Sequence, residues 1–374
     1  MMKRKTLISV SAALGLLCGT AVVPAVRQIE SRQGVTAVAA TTGTTTDGWY
    51  FTAFDTYCEI TGGNDFVQGD VTIPANITLA DGVTTLPVKK VNSIYYSCAN
   101  ITGLTIPASV TVLPNQFCEL KKNLKKVTFE GEMVSLPNSA FLKCTSLETI
   151  QLPKGLSSIG SSAFANCTRL ESIQLPDTVS TIGASAFQNC EALKSITIPG
   201  SVASIPDSML RGCTALQKVT LEEGIKSVSS YAFSGCTSLT EVTFPKSLTS
   251  LTASLTFFGC SNLESVTILN PDCSLGNLSG TTEKPLIIYG YEGSTAETYC
   301  EKSGKTSHVE FKSIGEKPAP EPVQDFGLFC DADGNGDIDV ADAQLVLTYY
   351  VKKMAGKEPS WYEITKNPKA PDAP

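Results

Sequence analysis

The sequence predicts a β-rich solenoid in which each unit of about 23 residues supplies one short strand and one short helical turn. Three observations lead to this fold class. The middle of the chain repeats with that period, five apolar columns recur together in each repeat, and a unit of this length cannot bury its own apolar face. Stacked units share a continuous core, so we expect a solenoid followed by a small α-helical module.

The first 40 residues are predicted to hold a secretory signal peptide and the mature N-terminus. A positive region at residues 3–5 precedes an apolar stretch from Leu7 to Val23, with small-residue cleavage sites after Ala25 and Ala39. The alternative is an uncleaved membrane anchor, although small residues dilute the stretch. No second stretch approaches the ~20 apolar residues of a spanning helix. We therefore expect a bacterial protein that is secreted or associated with the cell surface.

The repeats occupy residues 91–270 in about eight units. One unit reads SSAFANCTRLESIQLPDTVSTIG at residues 161–183, and the next reads ASAFQNCEALKSITIPGSVASIP at residues 184–206. The aromatic column of these units contains Phe141, Phe164, Phe187, Leu210, Phe233 and Phe257. The thiol column is predicted to contain Cys98, Cys118, Cys144, Cys167, Cys190, Cys213, Cys236 and Cys260.

Each unit contains a strand pattern and a turn pattern. LxxIxLP alternates apolar and polar residues along a short strand that the proline ends, and xxAFxxC has a spacing that suits a short helical turn. These motifs resemble the BspA-like class of leucine-rich repeats. The resemblance implies an opening cap within residues 41–90 and a closing cap within residues 271–314. Caps are also required physically, because the end repeats would otherwise expose the core.

The cysteine spacing favours packing over chemistry. Eight of the 13 cysteines fall in one column, where neighbours are separated by about one strand spacing, ~4.8 Å. A disulfide needs Cβ atoms ~3.5–4.5 Å apart, and no C-x-x-C pair suggests zinc. We expect a ladder of buried free thiols. Outside the signal, Cys58, Cys273, Cys300 and Cys330 remain, and one disulfide among them stays possible.

Polar residues at the centre of each strand predict a solvent-facing column on the sheet. We call it the outward column, and its members are Thr105, Thr128, Gln151, Gln174, Thr197, Thr220, Thr243 and Thr267. Two interpretations are open. The column is a hydrogen-bonding surface for a protein or a glycan, or it is an ordinary solvated sheet face. It lacks the aromatic and arginine anchors that are typical of binding hot spots.

A proline-rich linker at residues 315–324 leads to the strongest chemical motif, DADGNGDIDVAD at residues 331–342. The motif fits a 12-residue EF-hand-type loop with Gly336 at the sharp turn. Calcium prefers six to eight oxygen ligands, which this spacing supplies from one short segment. The predicted ligands are Asp331, Asp333, Asn335, Asp337 (through its carbonyl), Asp339 (through water) and Asp342.

The loop and the helical segment after it resemble one half of a type I dockerin, over residues 325–357. The resemblance implies docking onto a cohesin of a scaffolding protein in a cellulosome-like complex. The positions that match cohesin contacts are Val340, Ala341, Leu347, Thr348 and Lys352. No second loop follows in the tail at residues 358–374. Three interpretations stay open: a truncated chain, a half that suffices for cohesin, and a calcium-stiffened tail.

The composition and the repeats together limit the class of function. With a net charge of −7, the chain lacks the basic footprint of a nucleic-acid binder. The single histidine, His308, leaves one candidate for nucleophilic catalysis with a histidine base, and the repeat explains nearly every residue of the middle region. We expect a monomeric, non-catalytic recognition or adhesion protein. The alternatives are a structural matrix component and an accessory to, or a fragment of, an enzyme that degrades plant cell walls.

Overall fold

The computed structural model describes residues 40–94, 97–276, 278, 285–307 and 309–318, with the helical residues Gln344, Leu345 and Thr348. The chain divides into two compact units, Met1–Ile314 and Gly315–Pro374. The predicted signal, the calcium loop and His308 lie outside the described residues.

The described elements are short strands and one helix. In chain order they are β1 (Thr41–Thr44), β2 (Trp49–Ala53), β3 (Cys58–Gly63), β4 (Gly69–Thr72), β5 (Asn76–Thr78), β6 (Thr85–Val91), β7 (Ile101–Ile106), β8 (Lys126–Phe129), β9 (Ser135–Leu136), β10 (Thr149–Ile150), β11 (Ser158–Ile159), β12 (Thr181–Ile182), β13 (Ser195–Ile198), β14 (Ser204–Ile205), β15 (Lys218–Leu221), β16 (Ser227–Val228), β17 (Glu241–Phe244), β18 (Ser250–Leu251), β19 (Ser265–Ile268), β20 (Ser274–Leu275), β21 (Leu286–Glu292), α1 (Thr295–Ser307) and β22 (Val309–Glu316).

The N-terminal cap is a five-stranded sheet in the order β1-β2-β3-β6-β5. Its strands alternate buried and exposed residues, and Trp49, Phe51 and Ile60 point into the core. The cap joins the repeats through β4, which pairs in parallel with β7. The main-chain groups at the start of the solenoid are thereby paired, and the apolar end of the repeats is covered.

Most repeats contribute one strand to each of two faces. The long-strand face contains β7, β8, β10, β13, β15, β17 and β19, and the short-strand face contains β9, β11, β12, β14, β16, β18 and β20. Pairing is parallel, with partners one repeat period apart, as in Ser195↔Lys218 on the first face and Ser158↔Thr181 on the second. One inserted residue lengthens the step between β17 and β19, where Glu241 pairs with Ser265. The predicted solenoid of stacked repeats is confirmed.

The turns between the two faces contribute the aromatic residues of the solenoid core. Phe141, Phe164 and Phe187 are fully buried and form a continuous stack, with ring centroids 5.5 and 5.4 Å apart. Phe233 and Phe257 continue the column with a 5.7 Å stack. Offset-stacked rings add to the free energy of burial, so this column is a main source of stability.

The predicted thiol ladder is also confirmed in its chemistry. All 11 described cysteines are free and buried. From Cys144 to Cys260, each thiol donates to a carbonyl oxygen of the preceding unit, at 3.0–3.2 Å, and five of these six acceptors belong to the aromatic column. Burial raises the pKa of the Cys144, Cys213 and Cys260 thiols to about 12. These thiols are therefore packing residues that stay protonated.

The assignment of Cys118 to this ladder is wrong. The strand pairing fixes the register of the repeats, because Gly103 pairs with Lys126 and Lys126 pairs with Thr149. In that register Cys118 aligns with the aromatic column, and its carbonyl accepts from the Cys144 thiol. Lys121 occupies the thiol column instead, only 3% exposed, and burial lowers the pKa of its ammonium group. Sequence alignment preferred the cysteine because a buried lysine is rare.

The ladder makes a testable prediction about reactivity. Ellman's reagent attacks the thiolate, so the described thiols should not react in the folded protein at pH 8, since burial excludes the reagent and holds their pKa above its ordinary value. In 6 M guanidinium chloride every thiol should react. Rapid labelling of more than two thiols in the folded chain would contradict the ladder, because 11 of the 13 cysteines are among the described buried set.

The C-terminal cap closes the solenoid with β21, α1 and β22. β21 pairs with β19 in parallel, and β22 forms the edge of the same sheet. Ser294 caps α1, because its hydroxyl accepts from the Glu297 N–H at 3.3 Å while the Glu297 carboxylate accepts from the Gly293 N–H at 2.6 Å. Among the described residues, no helix is long and apolar enough to span a membrane.

Candidate binding site on the long-strand face

The long-strand face presents the outward column to solvent. Apolar residues on either side of each column member point into the core, as Ile196 and Ile198 do around Thr197. Every member of the column is exposed or half-buried. The strand period of two residues therefore places one polar side chain per unit on this face, about one strand spacing (~4.8 Å) from the next.

The strand ladder is interrupted at the two glutamines of this column. β10 ends at Ile150, before Gln151, and the next unit forms no strand at residues 173–175. One isolated bridge, between Ser172 and Ser195, joins that unit to β13. Within the described residues, Gln174 and Leu175 make no backbone hydrogen bond. Their N–H and C=O groups are therefore available to a ligand or to water.

A trough of about 770 Å³ lies over this interruption. Residues 149–152, 172–176 and 195–197 of three successive units line it. Leu152 and Leu175 are half-buried there, whereas Ile198 and Phe244 at the same position of later units are fully buried. The trough thus combines an apolar base with two rows of polar side chains, which is the arrangement of small-molecule and polymer sites.

The sequence carries a physical reason for the interruption. Threonine is β-branched and favours strands, whereas glutamine lacks the branch and gains nothing from the extended conformation. Gln151 and Gln174 are the two members of the outward column that are not threonine. The face is also interrupted between β15 and β17, yet both of those segments remain four-residue strands. Nothing in their sequences explains that second interruption.

The lining of the trough is uncharged, and exposed charges of both signs flank it. None of the described residues that line the trough is charged. Glu171 and Lys194 stand at neighbouring positions and form an ion pair with each other at 2.8 Å. Hydrogen bonding to Lys194 and its positive charge lower the pKa of Glu171. The trough is therefore a neutral surface.

A second surface, on the N-terminal cap, was missed by sequence reasoning. Phe54 and Tyr57 stack at the β2–β3 turn with ring centroids 4.9 Å apart, and Lys90 lies over the Tyr57 ring at 5.5 Å. Lys90 also pairs with Glu59 at 3.1 Å. Tyr50 and Phe66 are 42% and 78% exposed. The sequence signal was the concentration of aromatic residues in residues 49–66, outside the repeats.

Of the remaining predicted site residues, the structure describes one, Thr348. The calcium ligands Asp331, Asp333, Asn335, Asp337, Asp339 and Asp342, and the cohesin positions Val340, Ala341, Leu347 and Lys352, lie outside the described residues. Thr348 is helical, and its hydroxyl donates to the Gln344 carbonyl at 2.7 Å. Within the described part of the chain, no group of three potential metal ligands comes together.

Comparison with known proteins identifies the repeats. Residues 89–217 and 180–278 match the model of the BspA type leucine rich repeat region in six copies, and together they span just over half of the chain. A leucine-rich repeat protein from Bacteroides ovatus is 22% identical, with a TM-score of 0.51 over 75% of this chain and 78% of that one. This likeness shows a shared fold.

Two further solved structures are more distant in shape. The leucine rich repeat protein of T. pallidum is 28% identical with a TM-score of 0.44, covering 54% of this chain and 87% of that one. A leucine rich cell surface protein from Faecalibacterium prausnitzii is 19% identical with a TM-score of 0.26, covering 62% and 95%. No curated protein matches the sequence at a significant level.

Proposed function

Since this chain belongs to the BspA-type leucine-rich repeat family, we propose that it is an exported, non-catalytic recognition protein whose long-strand face binds a protein or a glycan. The observation that carries this proposal is the trough at Gln151 and Gln174. A solvated sheet face has no need of an interrupted ladder, because unpaired main-chain groups weaken the sheet. Such a local departure from regular structure is typical of a functional site.

A binding array tests the recognition function. The full chain is applied to immobilised extracellular-matrix proteins and plant polysaccharides, beside the double variant Gln151→Ala/Gln174→Ala. We expect at least one partner to be retained by the wild type and to bind the variant about tenfold more weakly. Thr243→Ala/Thr267→Ala, which changes two members of the same column that pair with each other in β17 and β19, is the control. If no partner is retained, the structural alternative gains and recognition by this face is wrong.

We further propose that the C-terminal segment tethers the protein to a cohesin-bearing scaffold in a calcium-dependent manner. The support is the donor set of residues 331–342, whose carboxylate, amide and carbonyl oxygens match the ligands that calcium prefers, at the spacing of a 12-residue loop. Bound calcium would neutralise several of these carboxylates and hold the loop in one conformation. The helical conformation of Gln344, Leu345 and Thr348 agrees with a helix after the loop.

Calorimetry tests the calcium loop separately from the repeats. Titration of the full chain with Ca²⁺ should give saturable heat that Asp331→Ala/Asp342→Ala abolishes, because two terminal ligands of the loop are removed. A pull-down against a panel of cohesins, with and without chelator, then tests the tether. Calcium heat that survives the double variant would place calcium elsewhere. Cohesin retention that chelator does not change would remove calcium from the tether.

The alternative functions differ in their predictions. A structural matrix component with a calcium-stiffened tail would bind calcium but would retain neither cohesin nor a ligand of the trough. An accessory to a plant-cell-wall enzyme would bind cohesin and polysaccharide. It would also assemble with an enzyme on the same scaffold. The array and the pull-down together therefore separate all three functions.

A further inference from the structure

We infer that the trough binds a neutral glycan chain lying across the strands, a proposal that rests on the recognition function proposed above. The polar groups of the lining match those of a sugar chain. Gln151 and Gln174 offer amide groups that donate and accept, and Ser172, Ser195 and Thr197 offer hydroxyls. The free main-chain groups of Gln174 and Leu175 add one donor and one acceptor each. Sugar hydroxyls also donate and accept, so they match such a mixed surface.

The uncharged lining of the trough favours a neutral ligand. The described residues that line the trough carry no ionisable side chain, and the adjacent Glu171 and Lys194 neutralise each other. An anionic polymer would need arginine or lysine side chains aimed at its acidic groups. Lys126 and Lys218 continue the row of Thr149, Ser172 and Ser195 on either side of the trough, outside its lining. Within the lining itself, an acidic glycan, a nucleic acid or a phosphorylated peptide would find no such partner. A neutral ligand, by contrast, has no charged group that must lose its hydration on binding.

An extended peptide is the main alternative to a glycan as a ligand of open main-chain groups. Strand addition needs an accessible edge with room for another strand. Here the units stay in register on both sides of the interruption, because Ser158 pairs with Thr181 and the Phe164 N–H donates to the Ala186 carbonyl at 2.8 Å. No strand can enter between units held in this way. The ligand therefore lies over the face and not within the ladder.

The direction of the ligand follows from the stacking. Gln151, Gln174 and Thr197 occupy one position in three successive units and line the trough together. Thr149, Ser172 and Ser195 form a second, parallel row. A chain of sugar rings that runs along the solenoid meets both rows repeatedly. The half-buried Leu152 and Leu175, which follow the two glutamines along the chain, offer apolar contact to the ring faces.

Affinity electrophoresis of the full chain tests this inference. The neutral probes are xylan, mixed-linkage β-glucan, galactomannan and dextran, and the comparison probes are heparin and polygalacturonate. We expect at least one neutral polysaccharide to retard the wild type and Gln151→Ala/Gln174→Ala to weaken that binding about tenfold. The matched control Thr243→Ala/Thr267→Ala, in the intact ladder of β17 and β19, should change it less than twofold. Circular dichroism confirms that both variants fold.

Each other result overturns the inference. Retardation by heparin or polygalacturonate alone contradicts a neutral ligand, and equal retardation of wild type and trough variant places the glycan elsewhere. The inference also fails if no neutral probe binds. In that case, a matrix protein retained on the array and lost with the trough variant would leave the recognition function standing, whereas an empty array would remove both.

Discussion

Replacing Phe187 with alanine is expected to lower the free energy of unfolding by about 3–5 kcal/mol. The ring is fully buried in the middle of the solenoid and stacks on Phe164 at 5.4 Å, nearly parallel. Removal deletes apolar contact and leaves a cavity between two units, which the strand pairing on either side prevents from closing. Guanidinium denaturation followed by circular dichroism measures the change.

Gln188→Ala is the matched control for this experiment. The glutamine is half-buried and follows Phe187 directly, so its removal leaves the aromatic column intact and should cost less than about 1 kcal/mol. A loss below about 1 kcal/mol in Phe187→Ala would contradict a continuous aromatic core. The stabilising contacts of the turns would then have to lie elsewhere.

Replacing Trp49 with alanine is expected to open the N-terminal cap. The indole is 1% exposed and is the largest buried side chain of the cap sheet. A change of this kind costs about 3–5 kcal/mol, and in a solenoid the loss is felt chiefly by the affected unit and its neighbours. Limited proteolysis should therefore cleave residues 41–91 at least tenfold faster, while the amides of β19 keep their hydrogen-exchange protection.

Tyr50→Ala is the control on the same strand. Tyr50 is 42% exposed, and its loss should leave the cap as resistant to protease as the wild type. Two results would contradict the role of the cap: a Trp49→Ala variant that resists protease, and a variant in which β19 loses protection together with the cap. The second result would mean that the solenoid unfolds as one cooperative unit.

The fold was predictable because the same apolar pattern recurs in successive units along the chain. Columns such as Phe164 and Phe187 recur at one spacing, and a repeat this short leaves stacking as the way to bury them. Cys118 was misassigned because a column was defined by residue type. The register is set by the strand pairing, which aligns Lys121 with the cysteines of the thiol column. Charged residues are rarely buried, so an alignment based on residue type does not place a lysine in a core column.

The candidate site was predictable in part. The outward column followed from strand alternation, and its solvent-facing position is confirmed. The trough was not predicted, because it depends on whether main-chain groups pair across units, and the two glutamines alone do not specify that. The aromatic cluster at Phe54 and Tyr57 was missed because these residues stand outside the repeat, where no periodicity places them on a common surface.

Hydrogen–deuterium exchange of the full chain tests the central claim, that the long-strand face is open at the glutamine units. We expect the amides of Leu152, Gln174 and Leu175 to exchange much faster than those of β19, which pairs on both sides, since unpaired amides lack protection. Gln151→Thr/Gln174→Thr should slow that exchange by restoring strand pairing. Equal, slow exchange across residues 149–176 and 265–268 in the wild type would contradict the open face, and with it the binding trough.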